Sequence, residues 1–314
     1  MRRRAWAPAH ISAFFSPHIA DSAGATGSIG AGFCLERGVT AEVDIRPGGG
    51  EKSFFFNGAE QRLSVTESAV NILERAAGQE LNGRFDLLSP YPDSQGFGIS
   101  AAGTLAVSIA VSDLLSLPIE SAWLAAHTAE VSGKTGLGDV VAGIKGGAVL
   151  RLEPGLPREG GRATSFRILN DGEDVEVVVA VLGEKLRTSS VLSSEASLSR
   201  VSLYGRSALE RLLAEIEGSS VSAGIFAEIS REFSRRSGIL TPEISAAFDM
   251  LEDGGIADKY PFSMVMLGNS IFFLPPRGIA SLALEEIKGI LSPAYPSAGY
   301  HLNRVGEAGA HLLE

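Results

Sequence analysis

The chain predicts an α+β fold, with helices laid on one face of a sheet, and three observations carry that expectation. Short runs alternate apolar and polar residues: Val39, Ala41, Val43 and Ile45 are set between Thr40, Glu42 and Asp44, the period of a half-buried strand. Asn57-Gly58, between SFFF and AEQRLSV, and Gly268-Asn269, between two apolar runs, have the composition of hairpin turns. Helical segments interleave with these strands along the chain, so neither an all-helical nor an all-strand architecture fits.

Length and composition agree. At 314 residues there is room for one large domain or two of ordinary size. Hydrophobic residues make up 45% and charged residues only 20%, which describes a core-rich fold rather than a disordered chain. The net charge of -10 argues against a nucleic-acid or anionic-membrane partner. A single cysteine, Cys34, excludes an intrachain disulfide framework and a cysteine-based zinc site. Arg2–Arg4 is not followed by the apolar stretch of a signal peptide, and no window reaches the 18 or so apolar residues of a membrane span. The expectation is a cytoplasmic protein.

In chain order, residues 4–15 (RAWAPAHISAFF) predict a short strand running into a turn at Pro8. Ser22–Gly32, with glycines at 24, 27, 30 and 32, reads equally as a surface loop or as backbone in close approach to a ligand. Ser64 and Glu67 have the spacing of a capping box, and Gly78 closes the helix that follows. A strand near Phe85–Leu88 precedes the turn SPYPDSQGFG, after which Ser100–Ser116 is apolar or small on nearly every face, as in a buried helix. Pro118 starts the next helix, which ends at Gly133. On it, Trp123, His127 and Glu130 share a face, open at this point to two readings: a satisfied core histidine with a surface glutamate, or a polar pair facing a site.

Residues 134–147 read as a glycine-flanked apolar loop containing Asp139. A strand at Ala148–Leu152 follows, carrying Arg151, and Gly155–Gly161 is the expected boundary between domains 1–157 and 158–314. Beyond it, Phe166–Leu169 and Val175–Leu182 predict two strands joined at the Asn170–Asp174 turn. Helices are expected near 194–217, 221–236 and 242–252, then strands at 262–267 and 271–274, a helix at 279–291 and a last strand near 299–302.

The chemistry concentrates around Gly96, Phe97, Gly98, Ile99, Ser100 and Ala101. Glycines before a helix start let a phosphate approach unpaired amides and the positive end of the helix dipole, and Ser100 adds a hydroxyl. By itself such a turn is common. Two look-alikes are set aside. Ser132-Gly133-Lys134-Thr135 ends like a P-loop, but Thr128 stands where its first glycine is required; Gly96-x-Gly98-x-x-Ala101 follows a proline-rich turn instead of opening an N-terminal βαβ unit. His10 and His18 lack the spacing and companions of a metal site.

Three segments, APAHISAFF, YPDSQGFGISAAG and SGKTGLGDVVAGIKGGAVLRLEPG, resemble in order and spacing the GHMP small-molecule kinase superfamily, and within it the archaeal pantoate kinase family. The resemblance is dense over the N-terminal half and thin over the C-terminal half. It implies a two-domain fold, an N-terminal ribosomal-protein-S5-like domain and a C-terminal ferredoxin-like α/β sandwich. It implies ATP and Mg²⁺ as cofactors, phosphorylation of pantoate to 4-phosphopantoate for coenzyme A synthesis, and a homodimer. Carried onto this chain, Gly96–Ala101 holds the ATP phosphates, Ser100 and Glu130 hold the metal, and Asp139 takes or polarises the acceptor proton. Ser28, His127, Arg151 and His10 face the acceptor. Two departures stand out: His10 occupies a position that is Lys or Arg in many GHMP kinases, and the third motif is reduced to SMVMLGN, residues 263–269. A kinase acting on mevalonate, homoserine or another small alcohol is the alternative within the superfamily. A catalytically silent nucleotide-binding regulator is the alternative outside it, and the full set Ser100, Glu130 and Asp139 counts against it.

Overall fold

A computed structural model describes residues 1–183 and 195–314. The chain opens with two long antiparallel strands, β1 (Arg2–His18) and β2 (Gly27–Pro47), paired along nearly their whole length. Pro8 does not turn the chain. It sits at a register shift between Pro8 and His10, where a residue without an N–H costs the ladder no bond. Nor is Gly27–Gly32 a loop: it is the first part of β2. Its glycines serve close packing, since a side chain at Gly30 would collide with the Phe14 carbonyl and one at Gly32 with the ring of His10.

The two halves of β2 recruit different partners. Residues 40–47 pair with β5 (Leu81–Leu88), which pairs in parallel with β3 (Lys52–Phe56); residues 30–33 pair with β6 (Ala148–Glu153). Asn57 and Gly58, both at positive φ, join β3 to β4 (Ala59–Glu60) as expected. Helix α1 (Ser64–Ala77) ends at Gly78 in the left-handed region, but no capping box forms. Leu63, packed against the core, takes the cap position instead, so Ser64 already lies inside the helix.

Helix α2 (Ile99–Leu114) is buried along its length; among its sixteen residues only Ser100, Asp113 and Leu114 escape full burial. It packs on β1 and β2 and against α1 and α3 (Ile119–Gly133), with Pro118 as the cap of α3. The segment expected as a loop around Asp139 is a helix, α4 (Asp139–Lys145). Glycines on both sides masked the pattern DVVAGIK, whose acidic first residue suits a helix start.

Gly155–Gly161 forms a 3-10 turn at Pro157–Glu159 between β6 and β7 (Arg162–Asn170), which are neighbours in the first sheet. The expected hairpin of Phe166–Leu169 with Val175–Leu182 does not form. β7 turns onto the short β8 (Glu173–Asp174), while β9 (Glu176–Val181) enters a second sheet of order β11-β12-β9-β13. The helices α5 (Glu195–Glu215), α6 (Ala223–Ser237), α7 (Pro242–Asp253) and α8 (Ala280–Leu291) lie close to the expected ranges; residue 194, the expected start of α5, lies outside the described residues. Strands β11 (Phe262–Val265), β12 (Ser270–Phe273) and β13 (Gly299–Arg304) also fall where expected. Among the described residues three short strands have no counterpart in the expected elements: β8, which falls within the expected Asn170–Asp174 turn, β10 (Ser220–Ser222), beside β7, and β14 (His311–Leu313), beside β1. The Phe-rich core joins the sheets, with Phe33 of β2 edge-on to Phe272 of β12 at 5.4 Å between ring centroids.

Candidate active site

The phosphate-loop candidate, Gly96–Ala101, lies where β1, α2 and the second sheet converge. Gly96 and Gly98 both take positive φ, +83° and +61°, a region that other L residues enter at a cost. Gly98 caps α2, so the amides of its first turn have no helical acceptor, and Ser100 among them is exposed. The loop is braced on both sides. Phe97 stacks on Tyr91 at 4.7 Å and 7°, and its carbonyl accepts the backbone N–H of His10 at 2.9 Å. Behind it, Gly268 packs on Gln95 without room for a side chain, and the Asn269 N–H donates to Gln95 Oε1 at 3.3 Å. The lone glycine of the reduced third motif therefore serves close approach to the loop.

Ser100 and Glu130, thirty residues apart in sequence, meet directly: the Ser100 hydroxyl donates to Glu130 Oε1 at 2.6 Å. Glu130 is 1% exposed. Burial pushes its pKa up to about 7, against the hydroxyls of Ser100 and Thr135, which favour the charged form; Asp139 adds repulsion. Gly136 stands between the two carboxylates. A side chain there would begin 2.7 Å from Asp139 Oδ2 and 3.0 Å from Glu130 Oε2, so both oxygens pack close to the same glycine.

Asp139 is held from the other side. His10 Nδ1 lies 2.7 Å from Asp139 Oδ1, and Arg151 Nη1 lies 3.5 Å from His10 Nε2. Burial works against the Asp139 charge, but the hydrogen bond from His10 and the charge of Arg151 outweigh it, leaving the carboxyl below its usual range. Burial lowers the pKa of His10, with the Asp139 contact opposing. Arg151, on β6 opposite Gly30, is 1% exposed, and its Nε has no hydrogen-bond partner among the described residues. That nitrogen and the Ser28 hydroxyl both pack on Gly138, where a side chain would begin 2.6 Å from each and so has no room. A buried, unpaired guanidinium N–H is costly and points to a missing acceptor.

His127 is brought to a different partner. It is buried, and its Nε2 lies 2.7 Å from the Thr26 carbonyl, tying α3 to the turn that leads into Ser28. Burial lowers its pKa, and the backbone of Thr26 and Ala23 resists. Neither Thr135 nor Gln95 stands out in the sequence. Thr135 belongs to SGKT, which lacks the P-loop's first glycine, and nothing in the sequence around Gln95 signals a residue 3% exposed that donates to the Gly183 carbonyl at 2.9 Å.

Comparison with known proteins follows the same lines. Residues 64–147 match the family model for the GHMP kinases N terminal domain. The chain is 33% identical over 297 residues to pantoate kinase of Thermococcus kodakarensis, covering 92% of this chain and 91% of that one. It is 29% identical to pantoate kinase of Methanospirillum hungatei, covering 94% and 96%. A solved structure described as a phosphotransferase related to the CoA biosynthesis pathway superposes with a TM-score of 0.81 at 29% identity, over 100% of this chain and 99% of the other. Homoserine kinase from Cytophaga hutchinsonii, at 14% identity and a TM-score of 0.71 over 99% and 97%, shares the fold. With a third of its residues identical across nine-tenths of both chains, this chain belongs to the pantoate kinase family of the GHMP kinases.

Proposed function

We propose that this chain transfers the γ-phosphoryl group of ATP to the primary hydroxyl of pantoate, giving 4-phosphopantoate and ADP as a step toward coenzyme A. The reading rests on the groups gathered around Asp139. The Glu130 and Asp139 carboxylates converge at Gly136; the buried Arg151 Nε, without a hydrogen-bond partner among the described residues, and the Ser28 hydroxyl converge at Gly138. In this reading the carboxylate of an anionic acceptor pairs with Arg151 and Ser28, and its hydroxyl reaches Asp139.

In this reading the amides of the first turn of α2 and the Gly96–Gly98 backbone cradle the phosphates without a P-loop lysine. The donor set suits Mg²⁺, a buried carboxylate whose burial disfavours its charge and a hydroxyl already in contact with it, and Ser100 and Glu130 would hold the ion. When bound, Mg²⁺ would neutralise charge on the transferring phosphate. Asp139 Oδ2 accepts the proton of the acceptor hydroxyl as its oxygen bonds to the γ-phosphorus and the β–γ bridge to ADP breaks. His127 supports the acceptor pocket by fixing the turn before Ser28. The homodimer implied by the resemblance is a separate question, decided by sedimentation.

Incubation with ATP, Mg²⁺ and pantoate, followed by mass spectrometry, tests the reaction. ADP and a pantoate monophosphate in equal amounts are expected. ADP formed without a phosphorylated pantoate, or no ADP at all, overturns the assignment.

A further inference from the structure

His10 was expected to face the acceptor, yet it is 1% exposed and both ring nitrogens are occupied by protein groups. An ionised carboxylate only accepts hydrogen bonds, so contact with Asp139 Oδ1 puts a proton on Nδ1. A guanidinium only donates, so contact with Arg151 Nη1 puts a lone pair on Nε2. The two contacts independently assign one form of the ring, the neutral Nδ1–H tautomer. Space for it comes from Gly32, where a side chain would begin 2.5 Å from Nε2. The backbone of His10 grips the phosphate loop as well: its N–H donates to the Phe97 carbonyl, and its own carbonyl lies against Gly98.

We propose that His10 is a neutral positioning residue: it passes a hydrogen bond from Arg151 to Asp139, fixes Oδ1, and so leaves Oδ2 turned toward the acceptor hydroxyl. It touches neither substrate. The groups that bear on this ring and on Asp139 are Arg151 from β6, Cys34 from β2, whose thiol is kept neutral by burial, and Glu130 from α3. None of them supplies a second donor to Oδ1 among the hydrogen bonds of the described residues. The role of Oδ2 rests on the reaction proposed above; the tautomer does not.

Two measurements separate these parts. Nitrogen NMR of protein labelled at histidine, with His10 assigned by its loss in His10→Asn, reads the ring directly. The expected spectrum is the Nδ1–H tautomer, unchanged between pH 6 and 8; an Nε2–H or doubly protonated ring overturns the proposal whether or not the enzyme is active. Kinetics read the consequence. His10→Leu removes both contacts and is expected to lower kcat by about 10- to 100-fold, the scale of a small misplacement of a reacting group, with both KM values changed by less than about threefold. His10→Asn, whose amide N–H can still reach Oδ1, is expected to recover most of kcat. A loss confined to the KM of pantoate in both variants would make His10 a substrate contact and sink the positioning role. If pantoate is not phosphorylated even by the parent protein, the reaction fails, while the tautomer still decides the hydrogen-bond assignment. Should His10→Leu not fold, the spectrum of the unsubstituted protein remains decisive.

Discussion

Glu130→Gln isolates the cost of holding a buried carboxylate ready for a cation. In the folded protein burial raises the Glu130 pKa to about 7, from the ordinary 4.5. The folded state therefore binds this proton more tightly than the unfolded state. Its contribution to stability is complete below the unfolded pKa of 4.5 and is lost as the pH rises through about 7. At 1.36 kcal/mol per unit, the loss comes to about 3 kcal/mol. Glutamine keeps the shape and still accepts from Ser100, but it carries no proton to lose. The stability difference between Glu130→Gln and the parent should thus move by about 3 kcal/mol in favour of the variant between pH 4.5 and 8. For a chain of this size that is roughly 4–5 °C in melting temperature. The assay is thermal or denaturant unfolding of both proteins in chelator across that pH range, where the shifts of His10 and His127, which are not coupled to Glu130, cancel in the comparison. Parallel curves for the two proteins would refute the reasoning, because Glu130 would then titrate alike in folded and unfolded chains. The same substitution should abolish most turnover, since the variant gives the metal no negative ligand at this position.

The remaining predictions concern the proposed chemistry. Asp139→Asn keeps the fold and ATP binding but should lower kcat by on the order of 10²-fold or more, the scale of a lost acid–base group; near-normal turnover would remove Asp139 from proton transfer. Arg151→Ala removes a charge-assisted bond of roughly 1.5–3 kcal/mol, so the KM for pantoate should rise about 10- to 150-fold while that for ATP stays nearly unchanged. That variant should also lose the parent's preference for pantoate over its uncharged lactone. A loss confined to ATP would place Arg151 outside the acceptor pocket.

How much of this was legible in the sequence depends on whether the signal was local. Helix α2 was plain, because small and apolar residues on every face admit little but burial, and its glycine start needs positive φ at Gly96 and Gly98. Ser100 and Glu130 were paired on family resemblance, and they lie 2.6 Å apart. Two errors share a physical cause. A turn at Pro8 and a loop around Asp139 both take a proline or glycines as breaks in regular structure, yet these residues sit inside it or at its edge, where a bulge or close packing suits a residue lacking an N–H or a side chain. Of the two readings open for the glycines of 22–32, the loop fails for 27–32, which lie in β2. The contacts of His10 and Arg151 were not legible at all, since they join positions 141 residues apart across two strands. His127 lies on a helix that the sequence predicts, but the backbone carbonyl it meets, Thr26, offers no signal in sequence.

The central claim, phosphorylation of pantoate through an acceptor pocket built on Arg151, meets its most direct test in the ratio of kcat/KM values for several acceptors. Purified protein with saturating Mg²⁺–ATP is assayed by ADP release against pantoate, mevalonate, homoserine and the uncharged lactone of pantoate. Pantoate is expected to be turned over with a kcat/KM at least about tenfold above each of the others, a margin of roughly 1.4 kcal/mol in transition-state binding. Equal or better turnover of mevalonate or homoserine, or no turnover of any acceptor, would contradict the claim.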